Sequence, residues 1–204
     1  EQYAAASDLF DQWRQNEVLR QDAEPCYYLM RHSFPMGGKT MSRLGLIASV
    51  GLEDYATRQV LPHEFTQAPA IQDRVWLMES LSANISPIMS ICRDAEGELN
   101  KLFQQVMTSA PEFDSTDDSG SATALWRISD SAMHSQIGAF FATRPIYLAD
   151  GHHRYEAARQ YQLDRHSESE DAKAPNLAHN HVMMTLIAFD DPGLVVLGYH
   201  RTLN

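Results

Sequence analysis

Apolar residues recur along this chain at two different spacings, and each change of spacing marks a new element. Near the N-terminus Tyr3, Ala6, Phe10 and Trp13 fall on one face of a helix, which predicts a helix over residues 3–19. The same three-to-four-residue spacing predicts further helices over residues 72–81, 96–109 and 131–141, and another that begins near residue 155. The chain therefore contains several amphipathic helices.

Shorter apolar runs bounded by turn residues predict strands between these helices. Residues 26–30 and 44–50 are predicted to pair as a hairpin around Gly37 and Gly38. Similar runs predict strands over residues 87–92, 125–128, 146–149, 181–189 and 194–199. Hairpins mixed with helices favour an α+β fold, a mixed sheet with flanking helices, over a strict strand–helix alternation.

One stretch of the chain is predicted to be a loop, and the length and ends of the chain bear on its domain organisation. Residues 111–121 are acidic and poor in apolar side chains, which predicts a surface loop. We expect residues 1–204 to form a single α+β domain, since this length can bury one substantial core. The chain has no initiator methionine and stops just after a predicted strand, so we also expect it to be a fragment of a longer polypeptide.

Composition and charge exclude several classes of partner. Hydrophobic residues make up 44% of the chain, yet no apolar run approaches the roughly 20 residues of a membrane helix. No secretory leader opens the chain, and Cys26 and Cys92 fit neither a disulfide framework nor a zinc site. The expected compartment is therefore the reducing cytoplasm. A formal net charge of −11 argues against nucleic acid as a partner, because nucleic-acid binding depends on clustered Lys and Arg.

The segment around residue 150 has the strongest chemical character. An apolar run ends at Asp150-Gly151, and His152, His153 and Arg154 open the helix that follows. The first N–H groups of a helix are free and carry partial positive charge, and Arg154 can offer a two-pronged donor. This arrangement indicates a site for a phosphate or carboxylate. The alternative is a tight turn whose histidines only cap and pack.

A second candidate group lies in the sequence Pro-His-Glu-Phe-Thr at residues 62–66. Glu64 could serve as a general base or hold a metal-bound water. Asp73 and Arg74 follow a short way on. The alternative for this segment is an ordinary surface loop that caps the next helix.

The histidines and the C-terminus offer weaker candidates. His179 and His181 could join His152, His153 and Asp150 at a metal ion, although adjacent histidines at a helix start point in different directions. The basic pair within residues 199–201 could complete an anion pocket or simply solvate the end of a strand. Neither a Gly-x-Ser-x-Gly nucleophile motif nor a P-loop occurs in the sequence.

Several motifs in a fixed order resemble the domain-of-unknown-function 1015 family of bacteria and archaea. These are SRLGLIASVGLEDY, VLPHEFT, DRVWLMESLSANISPI, LWRISD, IYLADGHHRYEAARQY, VMMTLIAFDDPGLVVL and HRTL, which together span nearly the whole chain. Members of the family are longer and have no settled activity. The resemblance therefore implies a family more than a function.

The Asp-Gly-His-His-Arg string is also similar to a turn in the partition protein ParB, in sulfiredoxin and in ParB-like free-serine kinases. The resemblance implies a ParB/sulfiredoxin-like element around residues 146–162, in which the turn holds nucleotide phosphates. Carried over by residue, it implies that Gly151, His152, His153 and Arg154 contact phosphate and that Asp150 positions the turn. Sulfiredoxin's catalytic cysteine has no counterpart here, which disfavours disulfide-type repair chemistry.

Two classes of function follow from this resemblance. The first is a nucleotide-dependent kinase that transfers phosphate from ATP or ADP, with Mg²⁺, to a small hydroxyl compound such as an amino acid. In it Glu64 would take the acceptor proton and His153 would act on the phosphate. The second is a non-catalytic, nucleotide-responsive binding module with a protein partner. A metal-dependent hydrolase built on the histidines is a third and weaker alternative, and we expect no metal bound by protein side chains alone.

Overall fold

The computed structural model describes residues 2–198, which form five α-helices and eight strands. The helices are α1 (Gln2–Gln15), α2 (Ala68–Leu81), α3 (Glu98–Val106), α4 (Ser131–Phe141) and α5 (His152–Glu168). The strands are β1 (Tyr27–Met36), β2 (Lys39–Gly51), β3 (Val60–Leu61), β4 (Ile88–Cys92), β5 (Phe113–Thr116), β6 (Ala122–Ile128), β7 (Ile146–Asp150) and β8 (His181–Ala188).

All eight strands join one mixed sheet in the order β3-β7-β4-β8-β2-β1-β6-β5. Two pairs, β3 with β7 and β4 with β8, are parallel, and the other five neighbouring pairs are antiparallel. Strands that alternate between hairpins and long crossovers, with helices inserted between them, make this an α+β fold. The predicted fold class is confirmed.

The helices and one face of the sheet enclose the core. Alternate residues of the central strands, such as Leu46, Ile88 and Met184, form a single buried cluster with Phe103 of α3 and Tyr155 of α5. Since side chains of a strand alternate between faces, the opposite face carries the remaining residues. It is largely apolar, and Thr185 and Ile187 are buried on it. Its half-buried members include Tyr28, Met30, Ile47, Met89, Ile91, Leu125 and Met183.

Helix α5 is held firmly in this arrangement. It contacts β4 and β8, and α2 packs against it, while α1 packs against α2. The buried Tyr155 hydroxyl donates to the carbonyl of Glu53 (2.9 Å) and accepts from the Glu53 N–H (3.0 Å). These bonds fix the first turns of α5 against the connection that leads from β2 towards residues 62–67.

The hairpin and most predicted elements are confirmed, with small changes of length. Gly37 and Gly38 lie at φ +58° and +76°, as a two-residue hairpin turn between β1 and β2 requires. Helix α1 ends at Gln15, four residues before its predicted end, and α2 begins at Ala68, four residues before its predicted start. The short strand β3 had no signal in the sequence.

Two predictions are wrong. The predicted loop over residues 111–121 contains β5, which pairs with β6 at the sheet edge. Because all four residues of β5 are exposed, its sequence has no alternation of buried apolar and exposed polar residues. The predicted strand over residues 194–199 does not form across residues 194–198, although they are apolar. Apolar character alone does not make a strand, since the backbone also needs a pairing partner. Residue 199 lies outside the described part of the chain.

The two cysteines, Cys26 and Cys92, are both free thiols. Burial raises the pKa of the Cys92 thiol to about 12. Across residues 2–198, no helix combines the length and the apolar character needed to cross a membrane. The expectation of a single domain over residues 1–204 stays a prediction.

Candidate functional site

The candidate site is built on the turn between β7 and α5. Strand β7 ends at Asp150, Gly151 adopts φ +92° as the N-cap, and α5 begins at His152. Residues that have a Cβ rarely adopt this left-handed conformation. A Cβ at Gly151 would also lie 2.8 Å from Nη2 of Arg154, because the guanidinium packs directly over the glycine. The positive φ therefore favours glycine here, and a Cβ would also displace the end of the Arg154 side chain.

The first N–H groups of α5 differ from those of α3 and α4. The Asp94 carboxylate accepts from the Leu99 and Asn100 N–H groups in α3, and the Asp130 carboxylate accepts from the Met133 N–H in α4. In α5 no side chain caps the first turn, and the His152 and His153 N–H groups have no partner among the described residues. An anion bound there would take the place that carboxylates occupy in α3 and α4.

Arg154 holds the turn together through three neighbours. Its Nη2 donates to Oδ2 of Asp150 (2.8 Å), and its Nη1 donates to the Pro87 carbonyl (2.6 Å) and to the Ser86 hydroxyl. A guanidinium has five N–H donors, so two remain for a ligand. About 30% of the Arg154 side chain and 73% of the Asp150 side chain are exposed. The cation is therefore both fixed in position and accessible.

The two histidines of the motif attach residues 62–67, which we call the PHE loop, to the start of α5. The fully buried His152 accepts the His63 N–H at Nε2 (3.3 Å), and the His153 Nε2 accepts the Gln67 N–H (3.1 Å). The His63 ring contacts the His152 ring edge-on, and its Nδ1 lies 2.6 Å from the Leu148 carbonyl. The rings of His152 and His153 thus bind the PHE loop, whereas the backbone N–H groups of these two residues have no partner among the described residues.

Glu64 is brought to the site by this attachment. Its Oε1 lies 3.0 Å from Nδ1 of His152, a distance typical of an ion pair but without hydrogen-bond alignment. Because Nε2 of His152 accepts a backbone N–H, the ring proton of the neutral form is on Nδ1, next to the carboxylate. Burial lowers the pKa of His152, although the negative charge of Glu64 opposes this effect. About half of the Glu64 side chain is exposed, so the carboxylate is accessible.

His153 and Phe65 are the other accessible groups of the site. In the neutral form of His153 the proton is on Nδ1, since Nε2 is an acceptor, and this N–H has no partner among the described residues. Phe65 is fully exposed, at 101% relative accessibility, although the PHE loop around it is bonded to α5. The site therefore combines donors, one carboxylate and one exposed aromatic ring.

The remaining histidine candidates lie elsewhere. His179 is 2.7 Å from the Ala172 carbonyl, and His181 is 3.0 Å from the Leu177 carbonyl, both beyond the far end of α5. Within residues 2–198, no group of three or more His, Cys, Asp or Glu side chains is placed to hold a metal ion together. The basic pair at residues 200–201 lies outside the described residues.

Several contacts of the site were missed in the sequence. Gln67, Ser86 and Pro87 bind the motif through backbone groups or a small hydroxyl, and such groups leave no pattern in a single sequence. The sequence predicts only that a helix begins near Tyr155, and nothing in it indicates the paired bonds of its hydroxyl to Glu53. Ser86 and Pro87 directly precede the buried strand β4, and this is the one local feature of the sequence that marks where that strand begins.

A comparison with protein families gives one match over the full length. The model of a family described as "Protein of unknown function (DUF1015)" matches residues 1–204. No curated protein and no solved structure matches the chain. The similarity of the turn to ParB and sulfiredoxin receives no support from these comparisons and stays a prediction.

Proposed function

This chain belongs to the DUF1015 family, whose description assigns no activity, and we therefore propose a function from the site itself. We propose that the β7–α5 turn binds the phosphates of a nucleotide, ATP or ADP. We further propose that the protein transfers phosphate to a small hydroxyl compound. Such an enzyme would work in the cytoplasm, where nucleotide and magnesium are abundant.

One observation carries this proposal: a helix start without a carboxylate cap lies between an accessible arginine and an accessible carboxylate. The His152 and His153 N–H groups, Arg154 and the Nδ1–H of His153 supply donors for phosphate oxygens. Glu64 supplies the only acidic group that the PHE loop brings to this turn. Phosphate transfer needs mainly positioning and neutralisation of charge, so this small set of groups is sufficient.

The proposed step transfers the terminal phosphoryl group of the nucleotide to the acceptor hydroxyl. The acceptor hydroxyl oxygen forms a bond to the terminal phosphorus, and the bond from that phosphorus to the bridging oxygen breaks. The electron pair of the broken bond leaves with the nucleotide product, and the acceptor proton moves to the Glu64 carboxylate. We assign His152 a positioning role, because its Nδ1 lies 3.0 Å from Oε1 of Glu64 on the buried side of the carboxylate.

Magnesium is compatible with the residues present. Mg²⁺ in phosphate-transfer sites is held by one or two carboxylates together with phosphate oxygens and water, without a protein cage. Asp150 is the exposed carboxylate beside the turn and would be its ligand. The ion would neutralise phosphate charge, and the residues described above would perform the remaining roles.

Nucleotide binding is tested first by calorimetry with ATP, ADP and pyrophosphate, with and without magnesium. Arg154→Lys should weaken binding at least tenfold, because a lysine keeps the charge but not the planar fork that packs over Gly151. Arg165→Lys, at the far end of the same helix and paired with Glu168, is the matched control and should bind as the parent does. Equal affinity in both variants would place the phosphates elsewhere.

Phosphate transfer is tested separately by Glu64→Gln. This variant should bind nucleotide normally and lose turnover with a panel of small hydroxyl compounds, since an amide cannot take the proton. Glu96→Gln, an exposed glutamate in the loop before α3, is the control. Normal turnover in Glu64→Gln would remove the base assignment and leave the phosphate site standing.

Phe65 favours a second candidate function, the nucleotide-responsive binding module. A fully exposed aromatic ring on a loop bonded to the phosphate turn could link ligand binding to a protein partner. Such a module needs the same donors but no base. Nucleotide binding without any turnover, together with partner capture that Phe65→Ala abolishes, would favour the module over the kinase.

A further inference from the structure

A pocket of about 440 Å³ lies between α2, the residues that follow α2, and α5. Arg154 lines it on one side, so the pocket and the β7–α5 turn share this residue. The pocket has the size of a site for a small metabolite. None of its other lining residues belongs to the turn or to the PHE loop.

The polar groups of the pocket favour an anion. Arg74 lines it together with Arg154, and Asp73 is the one carboxylate among the lining residues. Nη1 of Arg74 donates to Asp73 (3.0 Å) and to the Ala70 carbonyl (3.3 Å), while its Nη2 and Nε groups have no partner among the described residues. Each guanidinium is paired with a neighbouring aspartate, Asp73 for Arg74 and Asp150 for Arg154. The free N–H donors of Arg74, rather than an excess of positive charge, therefore favour an anionic ligand.

Most of the remaining wall is apolar, and two polar residues complete it. Leu77, Met78 and Val182 line the pocket beside the buried Ala157. Ser86 and Asn84 stand at the rim, and the Ser86 hydroxyl accepts a bond from Arg154 and keeps its own hydrogen for a ligand. A ligand that fits these walls has an anionic head and a short aliphatic body, and a hydroxyl group would find a donor and an acceptor at the rim.

We propose that this pocket binds a small aliphatic hydroxycarboxylic acid, with its carboxylate on Arg74. Its assignment as the acceptor for phosphate transfer rests on the proposed function, since only Arg154 connects the two sites. Binding of the acid itself does not depend on that function. The pocket would then be the acceptor site and the turn the nucleotide site.

The test uses hydroxyisocaproate as the probe and its neutral amide, hydroxyisocaproamide, as the charge control. Calorimetry or ligand-observed NMR on the full chain should detect binding of the acid and at least tenfold weaker binding of the amide. Arg74→Gln should weaken binding of the acid roughly tenfold or more, because a charge-assisted pair of hydrogen bonds is lost. Arg74→Lys should recover part of the affinity, and Arg20→Gln, at an exposed arginine that does not line the pocket, should have no effect.

Failure of this inference is distinguishable from failure of the proposed function. No binding of the acid to the parent protein, or binding that Arg74→Gln leaves unchanged, overturns the pocket assignment. Pyrophosphate binding that depends on Arg154 would still support the phosphate site in that case. Conversely, acid binding that needs Arg74, without any pyrophosphate binding, supports the pocket and overturns its role as an acceptor site.

Discussion

At the scale of single residues, Gly151 combines a positive φ with a close neighbouring side chain. Its backbone adopts φ +92°, and the Arg154 guanidinium lies where a side chain would begin. Gly97 is the N-cap of α3 at φ +65°, but nothing lies within 4 Å of the Cβ it lacks. The two glycines therefore share a strained backbone and differ in what surrounds them.

This difference gives a matched pair of variants. Gly97→Ala should lower the free energy of unfolding by about 1–2 kcal/mol, the cost of a Cβ in the left-handed region. Gly151→Ala should cost more than this, because Arg154 must also leave Asp150 and Pro87. Urea unfolding measures both, and pyrophosphate binding should be lost in Gly151→Ala alone. Equal stabilities and equal binding in the two variants would contradict the role assigned to Arg154.

His152 makes the stability of the protein sensitive to acid. Burial lowers the pKa of His152 in the folded chain, whereas the unfolded chain titrates near the ordinary value of about 6.5. Below that pH the unfolded state binds more protons, so the free energy of unfolding falls as the pH decreases. Stability is therefore fully present above about pH 6.5 and is lost as the pH falls towards the lowered pKa of the folded state.

Urea unfolding between about pH 5 and 8 checks this dependence. His152→Gln should flatten the slope, since glutamine does not titrate. Burial and the nearby Arg43 also lower the pKa of His32, so His32→Gln should remove its own part of the slope. An unchanged slope in His152→Gln would mean that His152 is not held in its neutral form.

The residues of the site were found from the sequence more readily than their contacts. Asp150, Gly151 and Arg154 follow an apolar run within one local motif, so their proximity needs no long-range information. His63 and His152 are 89 positions apart, and nothing in a single sequence pairs them. The bonds that both histidines accept from the PHE loop depend on how β3 pairs with β7, and two-residue strands leave no sequence pattern.

At the scale of elements, α5 links the sheet to both candidate sites. Its position was predictable because an apolar strand, a glycine and an amphipathic segment follow one another. The edge strand β5 was not, because all four of its residues are exposed and its pairing with β6 is made by the backbone. Burial produces the patterns that sequence reasoning uses, so exposed elements escape it.

The anchor of α5 is the Tyr155 hydroxyl. Tyr155→Phe would leave both the N–H and the carbonyl of Glu53 without their partner, and should lower the free energy of unfolding by about 1–3 kcal/mol. Tyr147→Phe removes a hydroxyl from a partly exposed ring on β7 and should change stability by less than about 0.5 kcal/mol. Thermal or urea unfolding of both variants tests this anchor, and similar losses would argue against it.

At the scale of the whole molecule, stability is distributed unevenly from the sheet centre to α1. Strand β8 lies between β4 and β2, and Val182, Met184 and Leu186 are buried along it. Helix α1 has no buried residue and is joined to α2 by bonds such as Tyr3 to Asp73 (2.6 Å) and Ser80 to the Tyr3 carbonyl (2.9 Å). Among the described elements, α1 packs mainly on α2, itself an outer helix.

Hydrogen exchange should follow this order. Amides of α1 should exchange through local opening, with a free energy well below that of global unfolding, because few contacts are lost when α1 detaches. Amides of β8 should exchange only with global unfolding, and those of α5, which has five buried residues, should follow β8 closely. Since Tyr3 donates to Asp73, opening of α1 also frees a carboxylate that lines the pocket beside Arg74. Amides of α1 that are protected as strongly as those of α5 would show that the outer helix is part of the cooperative core.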